Sequence, residues 1–272
     1  MQKSKGGFTL IELIVVIVIL GIIGVGTANF IGLGANLYVD AVGREQVVSQ
    51  TRYAMERITR EIREALPNSV RVGSVGNVHC IEFVPIQASS TYVNVPVSPE
   101  ASSDSVQLVS PPVAVIDDGQ LPPIRIAVYP LSANDVYETE STTGRVFSIK
   151  AATSVVGGYT SVALELGNEV LFDADSPTGR YYIVEEAVSY CVNTATGQMF
   201  RYDSYWPSAA QEVPTNDVVG VLMAENFKTG SIPFTYAGAT LLTNAIVQLN
   251  FEIERAGETV SFYHEVHLVN VP

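Results

Sequence analysis

Between Phe8 and Ala28 the chain carries a single charge. The 21 residues of that stretch are otherwise almost all apolar, and the exception is Glu12. A helix of this length crosses about 30 Å of hydrocarbon. A carboxylate inside such a helix costs roughly 2.5–3.5 kcal/mol near the bilayer centre, so Glu12 requires a partner there. Before the run stand seven residues with two lysines, Lys3 and Lys5, and no acid.

An ordinary secretory signal would be cut near Gly26-Thr27-Ala28, and a signal anchor would simply hold an exported domain. Neither accounts for a glutamate five residues into the apolar run, directly after Gly7-Phe8-Thr9-Leu10-Ile11. The segment resembles the N-terminus of type IV prepilins and type II secretion pseudopilins. That resemblance implies cleavage between Gly7 and Phe8 by a prepilin peptidase, N-methylation of Phe8, and retention of the apolar helix. It also implies that Glu12 meets the α-amine of Phe8 on a neighbouring subunit, neutralising two charges that otherwise stay unpaired. The implied location is the inner membrane of a Gram-negative cell, with a single pass and a periplasmic head. From there the chain passes through the assembly platform into a pilus of minor and major pilins.

Composition agrees with export. Net charge is −13, and without residues 1–7 the chain keeps 13 basic against 28 acidic side chains, a net of −15. Such a balance argues against nucleic acid as a partner, because phosphates need a basic face. The two cysteines, Cys80 and Cys191, most simply form one disulfide in an exported chain. It would close a loop of about 110 residues, worth about 4–5 kcal/mol on the chain-entropy account. The alternative is a pair of reduced, buried thiols.

The helix is expected to continue past the membrane. Leu37, Ala41, Val48, Met55, Ile58, Ile62 and Ala65 lie on one stripe at 3- and 4-residue steps, with Arg44 and Thr51 filling its two polar gaps. On the opposite face Glu56, Arg60 and Glu64 stand four apart. Pro67 should end the helix. A continuous Phe8–Leu66 helix would run about 88 Å. Gly21, Gly24, Gly26, Gly32 and Gly34 weaken its middle, each costing roughly 0.5–1 kcal/mol relative to alanine. They permit either local melting on assembly or close helix packing.

After Pro67 the chain reads as β. Candidate strands are Ser69–Val75, Val78–Ile86, Tyr92–Val97, Ser105–Val109, Ile124–Tyr129, Ser161–Leu166, Tyr181–Cys191, Gln198–Trp206, Val218–Met223, Ala245–Arg255 and Thr259–Val269. Hairpins are expected around Ala256-Gly257-Glu258 and across 193–197. Long surface loops are expected in 86–123 and 130–144. The fold class is α+β, a pilin-like long N-terminal helix packed on a large antiparallel β head. The divisions are 1–7 (leader), 8–36 (transmembrane and assembly half of the helix), 37–66 (amphipathic half) and 67–272 (head).

Two segments carry a second resemblance: Arg57–Ala65, RITREIREA, and Asp175–Tyr205, which contains SPTGRYYIVEEAVSYC and GQMFRYDSY. They are similar to minor pilins of the PilW and pseudopilin J type, including those of the mannose-sensitive haemagglutinin pilus. That implies a scarce, non-catalytic subunit acting in pilus initiation or at the tip. The alternatives are a minor pseudopilin of a secretion system, or a tip adhesin binding glycan or surface through its head.

Other sites are weaker. Asp173 and Asp175 precede Gly179 and form a faint calcium-loop pattern without the full ligand set, so a solvated turn is favoured. His264 and His267 are three apart on a strand and face opposite sides, a poor metal pair. Tyr202, Tyr205 and Trp206 could stack on a sugar but read first as core. No nucleophile elbow, phosphate loop or zinc motif is present, so neither an enzyme nor a cofactor is expected.

Overall fold

The computed structural model describes residues 9–109, 124–138, 141–156, 161–205, 208–211, 213–214, 218–239 and 243–268. Gly7, Phe8 and the leader lie outside them, as do Trp206, Val269 and most of the expected loop after Val109. The chain divides into two compact units, Met1–Ser49 and Gln50–Pro272.

The first unit is the start of α1 (Leu10–Arg63), which is unbroken through all five glycines. Its apolar side chains point outward: Leu10, Ile17, Leu20, Phe30 and Leu33 are all at least 61% exposed. A helix this long and apolar is able to cross a membrane. Thr27 keeps its hydroxyl satisfied by donating to the Ile23 carbonyl at 2.8 Å, the usual solution for threonine within a helix.

In the second unit α1 supplies Thr51, Ala54, Ile58 and Ile62, all with no exposure. Their spacing of three, four and four residues keeps one face inward. The observed stripe runs through Ala54, and Met55 sits at its margin, half-buried. α1 ends at Arg63, before Leu66. Glu64 and Ala65 tighten into i→i−3 bonds, Leu66 donates to the Val84 carbonyl at 2.8 Å, and the Glu64 carbonyl accepts from Ile86 at 2.9 Å. Strand pairing, and not Pro67 alone, takes over the backbone groups at the helix end.

The strands are β1 (Arg71–Val75), β2 (Val78–Phe83), β3 (Ile86–Asn94), β4 (Ser103–Val109), β5 (Arg125–Val128), β6 (Thr143–Gly144), β7 (Val146–Val156), β8 (Ser161–Phe172), β9 (Arg180–Val184), β10 (Ala187–Asn193), β11 (Gln198–Tyr205), β12 (Val221–Glu225), β13 (Phe234–Ala237), β14 (Ile246–Arg255) and β15 (Glu258–His267); a short helix, α2 (Ala133–Tyr137), follows β5. One antiparallel sheet has the order β1-β2-β10-β11-β12, and a second is β13-β14-β15. The third runs β4-β3-β9-β5-β7-β8, and β4 also pairs with β8. That last pairing closes a six-stranded ring, with β6 added in parallel on β8.

Alternation along β9 ties the ring to the rest of the head. Tyr181 and Ile183 point into the ring with Leu108, Ile126, Val128 and Phe172. Tyr182 and Val184 point the other way, into a cluster with Leu66, Val136 and Tyr137. A strand buried on both faces reads as a continuous apolar run. For that reason Tyr181–Cys191, expected as one strand, is two. Glu185 and Glu186 separate β9 in the ring from β10 in the five-stranded sheet. The segment 86–123, expected as loop beyond its two short strands, contributes the longer β3 and β4. β6, β7, β13 and α2 had no counterpart among the expected elements.

Candidate functional site

The N-terminal segment begins with Thr9 flanking the first turn of α1. Glu12 occupies the third helical position, and its Oε2 accepts from Thr9 N at 3.5 Å and Thr9 Oγ1 at 3.4 Å. This is the reaching-back half of a capping box. Glu12 and Thr9 are both exposed.

The two cysteines are brought together. Cys80 of β2 and Cys191 of β10 are direct cross-strand partners, and their sulfurs are bonded at 2.06 Å. Tyr202 packs beside them, with Phe200, Tyr205, Val213 and Val218 around it. Tyr202 is therefore core, and Gln211 seals the edge by donating to the Cys80 carbonyl at 3.3 Å.

Two buried or half-buried carboxylates escaped sequence reasoning. Glu82 of β2 is 1% exposed. It binds the Arg71 guanidinium and accepts from Tyr205 Oη at 2.7 Å. Arg71 in turn stacks on the Tyr137 ring at 3.7 Å and donates to the carbonyls of Ser208 and Ala209. Glu61 of α1 accepts from Arg57 Nε at 3.0 Å, Arg201 Nε at 3.0 Å and Tyr190 Oη at 2.9 Å. Arg201 also binds Asp203. Burial works against the Arg201 charge, but its bonds to Asp203 and Glu61 hold its pKa above the ordinary arginine range. Burial pushes Tyr190 and Tyr205 upward, helped by Glu61 and Glu82 respectively. Each carboxylate receives more than one donor, the requirement for burying charge. Both clusters fasten elements together: Glu61 clips α1 to β10 and β11, and Glu82 clips β2 to β11. For Glu82 the only signal was an apolar strand interrupted by one acid; Glu61 is one of several charged positions on its helix and carried none.

The remaining candidates are dispersed. Asp173 pairs with Arg145 at 3.7 Å, while Asp175 accepts from Tyr92 Oη at 3.0 Å. No group of three or more metal-ligating side chains occurs among the described residues. His264 lies opposite Leu249 and His267 opposite Ile246, on alternate faces of β15.

The family model for the prokaryotic N-terminal methylation motif matches residues 2–28. The N-terminus carries a type IV pilin-like prepilin signal. Comparison with curated proteins and with solved structures gives no significant match. The motif supports a type IV pilin-like or pseudopilin subunit and suggests a structural part. It implies processing by a prepilin peptidase and assembly with other pilins. The exposed apolar helix that follows fits a membrane-anchored pilin.

Proposed function

We propose that this chain is a low-abundance subunit of a type IV pilus, acting in the initiating or tip complex. The observation that carries this reading is the methylation motif joined to a large, disulfide-bonded β head. A head built from a closed ring plus two sheets is bulky for a densely packed shaft and suits a site occupied once or a few times. Residues 1–7 are the leader, 8–36 the membrane and assembly half of the helix, 37–66 its amphipathic half, and 67–272 the periplasmic and later extracellular head. Glu12 pairs with the amine of Phe8 on the adjoining subunit. A subunit at the extreme end has no neighbour above it, so the presence of Glu12 supports a position just beneath the tip.

The test is chemical and positional. Mass spectrometry of the mature chain should find N-methyl-Phe8 at its start, and Gly7→Arg should block cleavage, since the peptidase must accommodate a residue without a side chain beside the scissile bond. The mature protein should co-purify with pili at far lower abundance than the shaft subunit. A mature chain starting at Asn29, or stoichiometric abundance along the fibre, would overturn the proposal.

A further inference from the structure

Among the described residues the β13-β14-β15 sheet ends on β15. β15 pairs with β14 over ten consecutive positions, from Ile246–His267 to Arg255–Glu258, without a register shift. Among the described residues no strand pairs with its other edge. A long, regular edge without proline, lysine or bulge is one that natural proteins ordinarily cover. Burial points the same way. On the inward row of β14, Leu249 and Phe251 have no exposure and Ile253 has 3%. Their cross-strand partners on β15 are His264, Phe262 and Val260, and all three are only half-buried.

A groove of about 590 Å³ opens at this edge. Its wall is the last three turns of α1, including Arg52, Thr59, Arg60 and Arg63, and the sheet contributes His264 alone. The three arginines are exposed. In contrast to Arg57, which binds Glu61, they form no ion pair among the described residues. Three guanidiniums facing two carboxylates, Glu56 and Glu64, make a locally cationic strip on a chain of net charge −13. The Thr59 hydroxyl beneath them is buried, on a residue 8% exposed, and has no hydrogen-bond partner. An unpaired buried hydroxyl in a cationic groove is a standing demand for an acceptor.

We propose that an extended, acidic segment of a neighbouring subunit adds to β15 as a fourth strand. Its backbone completes the ladder, its apolar side chains cover Val260 and Phe262, and its carboxylates meet Arg52, Arg60 and Arg63. The identity of the occupant rests on the proposed filament-subunit function, whereas the site rests on the edge, the half-buried row and the unpaired arginines.

The probe is a synthetic eight-residue peptide, Val-Thr-Val-Thr-Glu-Thr-Glu-Thr, together with its reverse, titrated against the full chain in detergent micelles by fluorescence anisotropy. One of the two should bind. Replacing its glutamates by lysines should abolish binding, and Arg60→Glu/Arg63→Glu should weaken it at least tenfold while leaving the circular dichroism spectrum unchanged. Arg52→Glu serves as a second variant if the double one misfolds. Peptides N-methylated on alternate residues block one edge or the other, so one isomer should bind and the other should not. No binding of either peptide, equal binding of the lysine version, or equal binding of both methylated isomers would overturn the proposal. The assay requires neither cleavage nor assembly, so its failure is separable from failure of the pilin reading.

Discussion

Glu61 of α1 and Arg201 of β11 form an ion pair at 3.0 Å across 140 residues of sequence, with side chains 19% and 12% exposed. The same carboxylate takes the Tyr190 hydroxyl. Glu61→Ala would take away the acceptor of the Tyr190 hydroxyl and of the Nε–H groups of Arg57 and Arg201 in a half-dry site, leaving Arg201 only Asp203, and should destabilise the head by about 2–3 kcal/mol. Glu61→Gln, which keeps an acceptor for Tyr190, should cost less. Urea unfolding of the full chain in detergent measures both. A change below about 0.5 kcal/mol for the alanine variant would place this pair among surface ion pairs of no consequence.

Alkaline pH should unfold the head through its tyrosines. Burial raises Tyr137, Tyr190 and Tyr205 above the ordinary value of 10.0, and pushes Tyr181 up to about 12. A raised folded pKa means that the folded state holds the proton more tightly. The contribution is fully present below pH 10, where both states are protonated, and is lost as pH rises from 10 through the folded value. Tyrosinate absorbance followed with circular dichroism should show these residues ionising only as structure is lost. Tyr181→Phe should flatten the fall in stability between pH 10 and 12. Complete tyrosine ionisation in a still-folded chain would contradict the expectation.

The bond between Cys80 and Cys191 closes a loop of 111 residues. Loops of this size restrict the unfolded chain most, so Cys80→Ser should cost about 2–5 kcal/mol and raise protease sensitivity. The remaining Cys191 thiol stays in a pocket 3% exposed, so labelling of Cys191 should require unfolding. Free thiols in the native, non-reduced wild-type chain would be the contrary result.

For Glu12 the decisive comparison is with Thr9. Glu12→Ala removes both the local contact to Thr9 and the carboxylate offered to a neighbouring Phe8 amine. Thr9→Ala removes the hydroxyl contact alone. Membrane insertion and cleavage should survive in both, because the first change removes a charge from an apolar helix and the cut depends on Gly7. Pilus yield and co-purification with other minor pilins should fall only for Glu12→Ala. Normal pili containing the Glu12→Ala subunit would refute the assembly role.

Sequence by itself determined what depends on neighbours along the chain. The helix follows from twenty-one nearly uncharged residues, and the motif around Gly7 and Glu12 is a matter of spacing. The β14–β15 hairpin is written in Ala256-Gly257, whose φ values of 52 and 80° meet the demand of a two-residue turn for two left-handed positions. At Gly197, φ is +69° and a Cβ would meet the Phe227 carbonyl at 3.1 Å, so the turn signal before β11 had a steric basis as well.

Tertiary structure alone decided which strands meet. Tyr181–Val184 and Val188–Cys191 have the same apolar character, yet one lies in the ring and the other pairs with β2. Closure of the ring by β4 on β8 joins residues about sixty apart, and no local pattern encodes such a pairing because its stability comes from burial of Leu108 and Phe172 after both strands are in place. Glu61 and Glu82 look like ordinary polar positions until the partners Arg201, Tyr190, Arg71 and Tyr205 arrive from distant strands. Periodicity reports which face of an element is buried, and only the assembled fold supplies the atoms that bury it.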